Sequence, residues 1–304
     1  MDTEKKKMRI LPLIGFLLLL WFISIITVSY FSVSDDSYNP YANVAVIKLY
    51  GEITTTGSSG FMDSVTSSNE IVSLLDKAEK DDNIKAIVID INSGGGSGVA
   101  SEEIGNKLKS INKTKVAWIR DIGASGAYWV ASSTDYIVAS RMSLVGSIGV
   151  TGSYLEFSGL LDKYNITYRR LVSGKYKDSG SPLKDLTADE EKMMQSLIDE
   201  LDEYFIMEVA ENRALSIQDV KKFATGEVFT GVKAKQIGLI DETGGIKEVT
   251  AYIESELNTT VEYTVFEQKE SLTDILKKLS SEHGYSMGKG IGSFLYSNQQ
   301  TIRT

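Results

Sequence analysis

The fold is decided by one run of sequence, residues 84–98, which reads IKAIVIDINSGGGSG. Residues Ile84 to Ile91 are almost continuously apolar, as in strands of a parallel sheet that is buried on both faces. The glycine-rich residues Asn92 to Gly98 follow this strand, and a predicted helix then spans Val99 to Ser110. Open α/β sheets bind their ligands at the carboxyl ends of their strands. The run therefore predicts an α/β fold in which the glycine loop either faces a ligand or is simply a flexible turn between strand and helix.

The same alternation of strand and helix continues on both sides of this run. Further strands are predicted at Val44–Leu49, Lys115–Ile119, Tyr136–Ala139 and Ile166–Val172, and helices at Glu70–Lys80, Ala127–Ala131, Tyr154–Tyr164 and about Thr187–Arg213. Thr187 and Glu190 have the spacing of a capping box at the start of the last helix. Its apolar stripe consists of Met193, Leu197, Leu201, Phe205 and Val209, and this stripe predicts burial in the core. A shorter α/β segment follows from Thr225 to Gly245.

The composition restricts the classes of function and the catalytic groups that the chain can have. The 304 residues are 42% apolar and 24% charged, which suits one large globular domain or two small ones. The net charge of -9 argues against a nucleic-acid partner, since phosphate neutralisation needs clustered Lys and Arg. The chain has no cysteine and a single histidine, His283, which excludes thiol chemistry and argues against a histidine-rich zinc site. We expect no metal and no cofactor.

The N-terminus carries the pattern of a membrane anchor. Lys5, Lys6, Lys7 and Arg9 precede a charge-free stretch from Ile10 to Ser34, and about 20 residues suffice to cross a bilayer. The basic flank predicts that the N-terminus is cytoplasmic and that the remaining chain lies outside the cell membrane. A cleaved signal peptide is the competing interpretation, but its apolar core is usually shorter, about 7–15 residues. We predict residues 1–9 as a cytoplasmic segment, 10–34 as a retained anchor, 35–43 as a linker, 44–266 as the globular domain and 267–304 as a tail that is partly helical or flexible.

Ser125 is the candidate nucleophile. It lies in the sequence GASGAYW, residues 123–129, between a predicted strand and a predicted helix. Gly123 and Gly126 permit a sharp turn, and a helix N-terminus favours developing negative charge. A serine that only caps the helix is the alternative. If Ser125 is a nucleophile, its base is either His283, in a polar tail, or a residue other than histidine.

Taken together, these segments resemble the signal peptide peptidases of the SppA type, which are Ser–Lys proteases of peptidase family S49 with a Clp-protease/crotonase-like fold of repeated ββα units. The resemblance covers about Val44 to Ile253. Its motifs are Asn92-Ser93-x-Gly95-Gly96, Ala124-Ser125-Gly126-Ala127-Tyr128, Gly146-Ser147-Ile148-Gly149-Val150, Gly174-x-x-Lys177-Asp178 with Ser181-Pro182, and Phe229-Thr230-Gly231 through Gly238-Leu239-Ile240-Asp241. Two positions depart from the family pattern: Gly94 stands where proline is common, and Glu227 replaces a commonly basic residue.

The resemblance implies a role for each site residue. Ser125 would be the nucleophile, Lys177 the general base, and Ser147 a hydroxyl that holds the lysine amine. The oxyanion hole would involve Gly95, Gly96 and Gly126. A lysine base must be neutral, although the pKa of free lysine is about 10.4, and burial can lower that pKa by up to about 3–5 units. Lys175 is a competing base, but it would point elsewhere if the loop is extended.

The resemblance also implies an activity and an assembly. We expect a membrane-anchored serine endopeptidase that degrades signal peptides left after preprotein cleavage, and other small or unfolded peptides. We expect a homo-oligomeric ring in which neighbouring subunits share active sites. A crotonase-like acyl-transfer enzyme and a non-catalytic membrane scaffold of the same fold are the alternatives.

Overall fold

The computed structural model describes residues 15–27, 39, 41–56 and 65–267, and the chain divides into two units, residues 1–40 and 41–304. In the first unit, residues 15–27 form a helix, α1. Among the described residues, no helix combines the length and the apolar character needed to span a bilayer. Residues 10–14 and 28–34 of the expected anchor lie outside the described residues, as does the expected tail after Glu267. Both therefore stay predictions.

The second unit alternates strands and helices. The strands are β1 (Val44–Thr54), β2 (Val65–Ser67), β3 (Ala86–Gly96), β4 (Thr114–Ala124), β5 (Tyr136–Ala139), β6 (Leu144–Gly146), β7 (Val228–Thr230), β8 (Glu242–Thr243) and β9 (Tyr263–Val265). The helices are α2 (Ser68–Lys80), α3 (Gly98–Ser110), α4 (Gly126–Ser132), α5 (Ser158–Lys163), α6 (Ala188–Asn212), α7 (Ile217–Phe223), α8 (Gly231–Gln236) and α9 (Ile246–Leu257).

These strands form one mixed sheet that is mostly parallel. Its central order is β2-β1-β3-β4-β5-β8, with β9 on the same edge of β1 as β2, and β6 beside β4. Only the β6–β7 pair is antiparallel among the described strands. The expectation of an α/β fold with a parallel sheet is confirmed.

Helices cover the sheet on both faces, which explains why residues 84–91 are almost continuously apolar. Every residue of β3 from Ala86 to Ile91 is buried. On one face, Ile87 and Ile89 join a large core with residues of α2, α3, α4 and α6. On the other face, Val88 packs in a smaller core that contains Val249 and Ile253 of α9.

The glycine run after this strand is not the loop that the sequence predicted, because β3 continues through Gly96. A register shift between Tyr50 and Glu52 of β1 lets Gly95 and Gly96 pair with Glu52 and Ile53. This approach requires glycine, since a Cβ on Gly96 would lie 2.2 Å from the Ile53 carbonyl oxygen. The run therefore acts as an irregular strand end held against β1.

Two expectations about residues 150–172 are wrong. The predicted strand Ile166–Val172 has no regular structure, and the predicted helix Tyr154–Tyr164 is reduced to α5, Ser158–Lys163. The apolar residues of this region are exposed instead of paired; Leu171, for example, is 97% exposed. A strand needs a neighbouring strand for its backbone groups, and this region lies against none within the described chain.

The long helix α6 confirms its predicted capping box at Thr187 and Glu190, but its apolar stripe is core only at one end. Phe205 and Val209 are buried, whereas Leu197 and Leu201 are 53% and 51% exposed and Met193 is half-buried. The physical reason is that the C-terminal part of α6 packs on α4, where Phe205 stacks on Trp129 with ring centroids 5.1 Å apart. The N-terminal turns contact loop residues, including Gly152 and Gly180.

Candidate active site

Ser125 occupies a strained turn between β4 and α4. Its backbone has φ 52° and ψ -127°. Residues other than glycine rarely adopt this conformation, and those that do cluster at functional sites. The Ser125 N–H donates to the Gly146 carbonyl at 2.8 Å, which holds the turn. The half-buried side chain makes no capping hydrogen bond with α4, so the turn does not serve to cap that helix through the hydroxyl.

Gly95 packs directly against this turn. A Cβ on Gly95 would lie 2.7 Å from the Gly126 amide nitrogen and 2.8 Å from the Ser125 Cβ. The Gly95 N–H itself donates to the Ser93 hydroxyl at 3.0 Å. The Gly126 N–H begins α4, where the first amides have no acceptor within the helix. Of the expected oxyanion glycines, Gly126 thus offers an amide, while Gly95 makes room beside it.

Asn92 of the same motif ties β3 to β4. Its side-chain oxygen accepts from the Ile122 N–H at 3.3 Å, and its amide nitrogen lies 3.4 Å from the Asp121 carboxylate. Asn92 and Asp121 also line a cavity of about 570 Å³, and Ser125 is not one of the residues that line this cavity. We assign Asn92 to the alignment of the two strand ends that form the candidate site.

Ser147 is linked to Ser125 by a backbone hydrogen bond of the preceding residue, Gly146. It follows Gly146, whose carbonyl accepts the Ser125 N–H. Ser147 has φ 50°, and its N–H donates to the Glu227 carbonyl at 2.8 Å. Because Glu227 acts here through its backbone, the departure from the family pattern at this position leaves the contact intact.

Among the described residues, no hydrogen bond joins the Lys177 amine to Ser125. The loop that carries Lys177 is held at the start of α6, where Ser179 and Lys184 donate to the Glu190 carboxylate at 3.1 and 2.6 Å. α6 meets α4 near Phe205, which is 15 residues, or about 22 Å of helix, after Glu190. The Lys177 side chain is exposed.

Lys175 is poorly suited to act as a base. Its Nζ forms an ion pair with Asp189 at 2.5 Å and lies 5.0 Å from the centre of the Tyr176 ring. The hydrogen bond to Asp189 raises the pKa of Lys175, whereas a general base needs a lowered pKa.

Sequence reasoning gave no role to Arg170 or Asp178, which lie near Lys177. Arg170 donates to both carboxylate oxygens of Asp178, at 2.6 and 2.7 Å, and Glu190 is buried. Asp178 could have been found, because it belongs to the motif that contains Lys177. Arg170 carried no signal, since it lies eight residues before its partner in a segment that was predicted as a strand.

A comparison with solved structures bears on the fold. A solved structure of a membrane-bound stomatin-specific protease matches with a TM-score of 0.50 and 16% identity, and the match covers 76% of this chain and 100% of that one. At this identity the likeness concerns the fold alone.

The sequence comparisons then give the family. Residues 107–260 match the model of peptidase family S49. A Methanocaldococcus jannaschii protein named as a protease is 35% identical over 302 residues, which is 96% of each chain. An Enterococcus faecium protein named as a signal peptide peptidase, SppA, is 30% identical over 76% of this chain and 69% of its own length. The chain belongs to peptidase family S49, and the resemblance seen in its motifs is confirmed.

Proposed function

We propose that this peptidase is a serine endopeptidase in which Ser125 is the nucleophile and Lys177 the general base. The observation that carries the proposal is the strained, half-buried Ser125 turn with Gly95 packed against it. Such a turn at a strand-to-helix junction presents a serine next to free helix-terminal amides, as acyl transfer requires. The Clp-protease/crotonase-like form of the α/β fold belongs to the same proposal.

The reaction proceeds in two steps. The Ser125 Oγ attacks the scissile carbonyl while its proton moves to the neutral Lys177 amine, and the oxyanion is stabilised by the Gly126 N–H. The protonated lysine then gives its proton to the leaving amine. In the second step, water attacks the acyl-enzyme with Lys177 again as base, which releases the acid and restores Ser125. Ser147 accepts a hydrogen bond from the amine and orients it.

The lysine comes from a neighbouring copy of the chain. This arrangement is supported by the length of α6 between the Lys177 loop and α4. It is also supported by apolar side chains left exposed on the segment around that loop, among them Leu155, Leu160, Leu171, Leu197, Leu201 and Met207. A ring of head-to-tail contacts would cover these side chains and pair each serine with a neighbour's lysine.

The proposed substrates are extended peptides, in particular signal peptides left in the membrane, and the proposed location is the extracytoplasmic face of the cell membrane. The support is the SppA name of the Enterococcus relative, which concerns that protein, and the charge-free stretch after the basic N-terminus of this chain. A folded protein would not reach a serine that is half-buried in the turn between β4 and α4, with Gly95 of β3 packed against it.

The dyad is tested with single variants of the full-length chain in detergent. Ser125→Ala and Lys177→Ala should each abolish peptide hydrolysis, and a fluorophosphonate probe should label the wild type but not Ser125→Ala. Lys175→Ala is the matched control and should retain activity, as should His283→Ala. Activity in Lys177→Ala together with loss in Lys175→Ala would transfer the base to Lys175.

Sharing between subunits is tested by mixing. Ser125→Ala and Lys177→Ala chains are dissociated and reassembled together, and some interfaces should then pair an intact serine with an intact lysine. Partial return of activity is expected. Mixed oligomers that stay inactive would show that both groups must come from one chain.

A further inference from the structure

Asp178 follows Lys177 directly and has no part in the proposed reaction. A carboxylate next to an amine favours the protonated amine, which is the wrong state for a general base. The two side chains nevertheless lie in different surroundings: Lys177 is exposed, whereas the Asp178 side chain is only 13% exposed. The Asp178 carboxylate is therefore held by a group other than the Lys177 amine.

That group is Arg170. Its Nε donates to Asp178 Oδ2 at 2.6 Å and its Nη2 donates to Asp178 Oδ1 at 2.7 Å, which is the two-point geometry that guanidinium and carboxylate favour. The same Nη2 donates to the Lys175 carbonyl at 3.1 Å. Arg170 thus contacts the loop on both sides of Lys177. This pairing lowers the pKa of Asp178 and raises the pKa of Arg170.

The remaining charges near the loop are also paired. Lys184 Nζ lies 4.0 Å from Asp178 Oδ1 and 2.6 Å from the buried Glu190. The ionisable side chains around Lys177 and its anchor include Tyr168, Arg170, Lys175, Tyr176, Asp178, Lys184, Asp185, Asp189 and Glu190. Asp189 is paired with Lys175, and Asp185 accepts a hydrogen bond from Ser158. Each of these four carboxylates has a partner other than Lys177.

We propose that Arg170 is a positioning residue for the Lys177 base, because it holds the Asp178 carboxylate inward and prevents an ion pair between Asp178 and the adjacent amine. The proposal rests on the proposed role of Lys177. With Asp178 occupied, the amine enters the neighbour's site without a carboxylate of its own loop attached, so burial there can release its proton. Lys177 would otherwise carry a counter-ion that opposes this release.

The test compares pH profiles of kcat/KM for the full-length protein on a peptide substrate. In Arg170→Gln, Asp178 is free to pair with Lys177. The rising limb should then move to higher pH by about 0.5 unit, which matches the strength of an exposed ion pair and lowers kcat/KM about threefold on that limb. The alkaline plateau and KM should stay close to wild type.

Rescue separates this role from a structural one. Adding Asp178→Asn to Arg170→Gln removes the competing carboxylate and should return the limb to its wild-type position. Arg170→Lys should shift the limb less than Arg170→Gln, since it keeps the charge but not the two-point contact. Lys175→Gln is the matched control: it removes another cation of the same loop and should leave the limb in place.

The proposal is overturned if Arg170→Gln leaves the limb unmoved, or lowers kcat/KM equally at every pH, or is not rescued by Asp178→Asn. If Arg170→Gln alone does not fold, the position of the rising limb in the pH profiles of Arg170→Lys and of the double variant tests the proposal instead. An active Lys177→Ala would instead refute the proposed function, whereas an inactive Lys177→Ala with an unmoved limb in Arg170→Gln refutes only this inference.

Discussion

Replacing Gly95 with alanine tests the centre of the candidate site. The added Cβ would lie 2.7 Å from the Gly126 nitrogen, 2.8 Å from the Ser125 Cβ and 2.9 Å from the Ala124 carbonyl oxygen. Ordinary contacts between such atoms are about 3.5–4.0 Å, so the turn must move by about 1 Å. A displacement of this size at reacting atoms lowers kcat/KM about 100-fold, or about 2.7 kcal/mol. The φ of +103° adds strain of about 1–3 kcal/mol.

Gly94→Ala provides the matched control one residue away. Its Cβ would meet only Ile122 Cδ1, at 4.0 Å, and its φ is not positive. We expect Gly94→Ala to retain kcat/KM within about threefold and to be stabilised by about 0.4–1 kcal/mol, because alanine restricts the unfolded chain. Peptide hydrolysis and thermal unfolding measure both variants; the strain should lower the Tm of Gly95→Ala by about 2–12 °C, at about 2–4 °C per kcal/mol for a domain of this size. A folded Gly95→Ala with kcat/KM within threefold of wild type would refute the assigned geometry.

Three further predictions concern pH, packing and assembly. kcat/KM of the wild type should rise with pH as the base loses its proton, and Ser147→Ala should lower it less than Lys177→Ala, as measured by pH-dependent hydrolysis. The Lys184 hydrogen bond holds the pKa of Glu190 at about 2, below its usual 4.5, so the stability that Glu190 contributes is complete above pH 4.5 and is lost as the pH falls towards 2; acid unfolding of Glu190→Gln should lack this loss. Leu201→Glu, at an exposed position, should prevent formation of the proposed oligomer in sedimentation with little change in Tm, whereas Phe205→Ala in the core should destabilise by about 3–5 kcal/mol.

The sequence predicted the elements whose signals are local. The β3 run is apolar on both faces, the residues Tyr136–Ala139 of β5 match the expected bounds, and α6 begins at its capping box. The register shift in β1 between Tyr50 and Glu52 could not be predicted, since it depends on how two strands meet. For this reason the glycine run was taken for a loop.

The errors at residues 166–172 and along α6 share one cause. Apolar periodicity states that a face is buried, but it does not state what buries it. Leu171 and Leu201 are apolar and exposed in the single chain. If the proposed ring forms, their partners are on another copy, which no pattern within one sequence can identify.

The candidate site likewise contains features that the sequence could predict and features that it could not. Glycines around Ser125 indicated a sharp turn, and the structure has one. Lys177 came only from the family motif, because an exposed lysine in a polar loop has no pattern of its own. The pairing of Arg170 with Asp178 depends on the path of the loop and was out of reach.

The pairing of β9 with β1 has a consequence for biosynthesis. Val44 to Val46 lie beside Tyr263 to Val265, and the Asn43 side chain bonds the backbone of Thr260, 217 residues away. A chain that emerges from the ribosome N-terminus first must therefore keep this edge of β1 open until nearly the whole domain has been made. Open strand edges invite pairing with other chains, so nascent molecules are exposed to aggregation throughout that interval. A chaperone bound to this edge would protect the nascent chain until β9 pairs with β1.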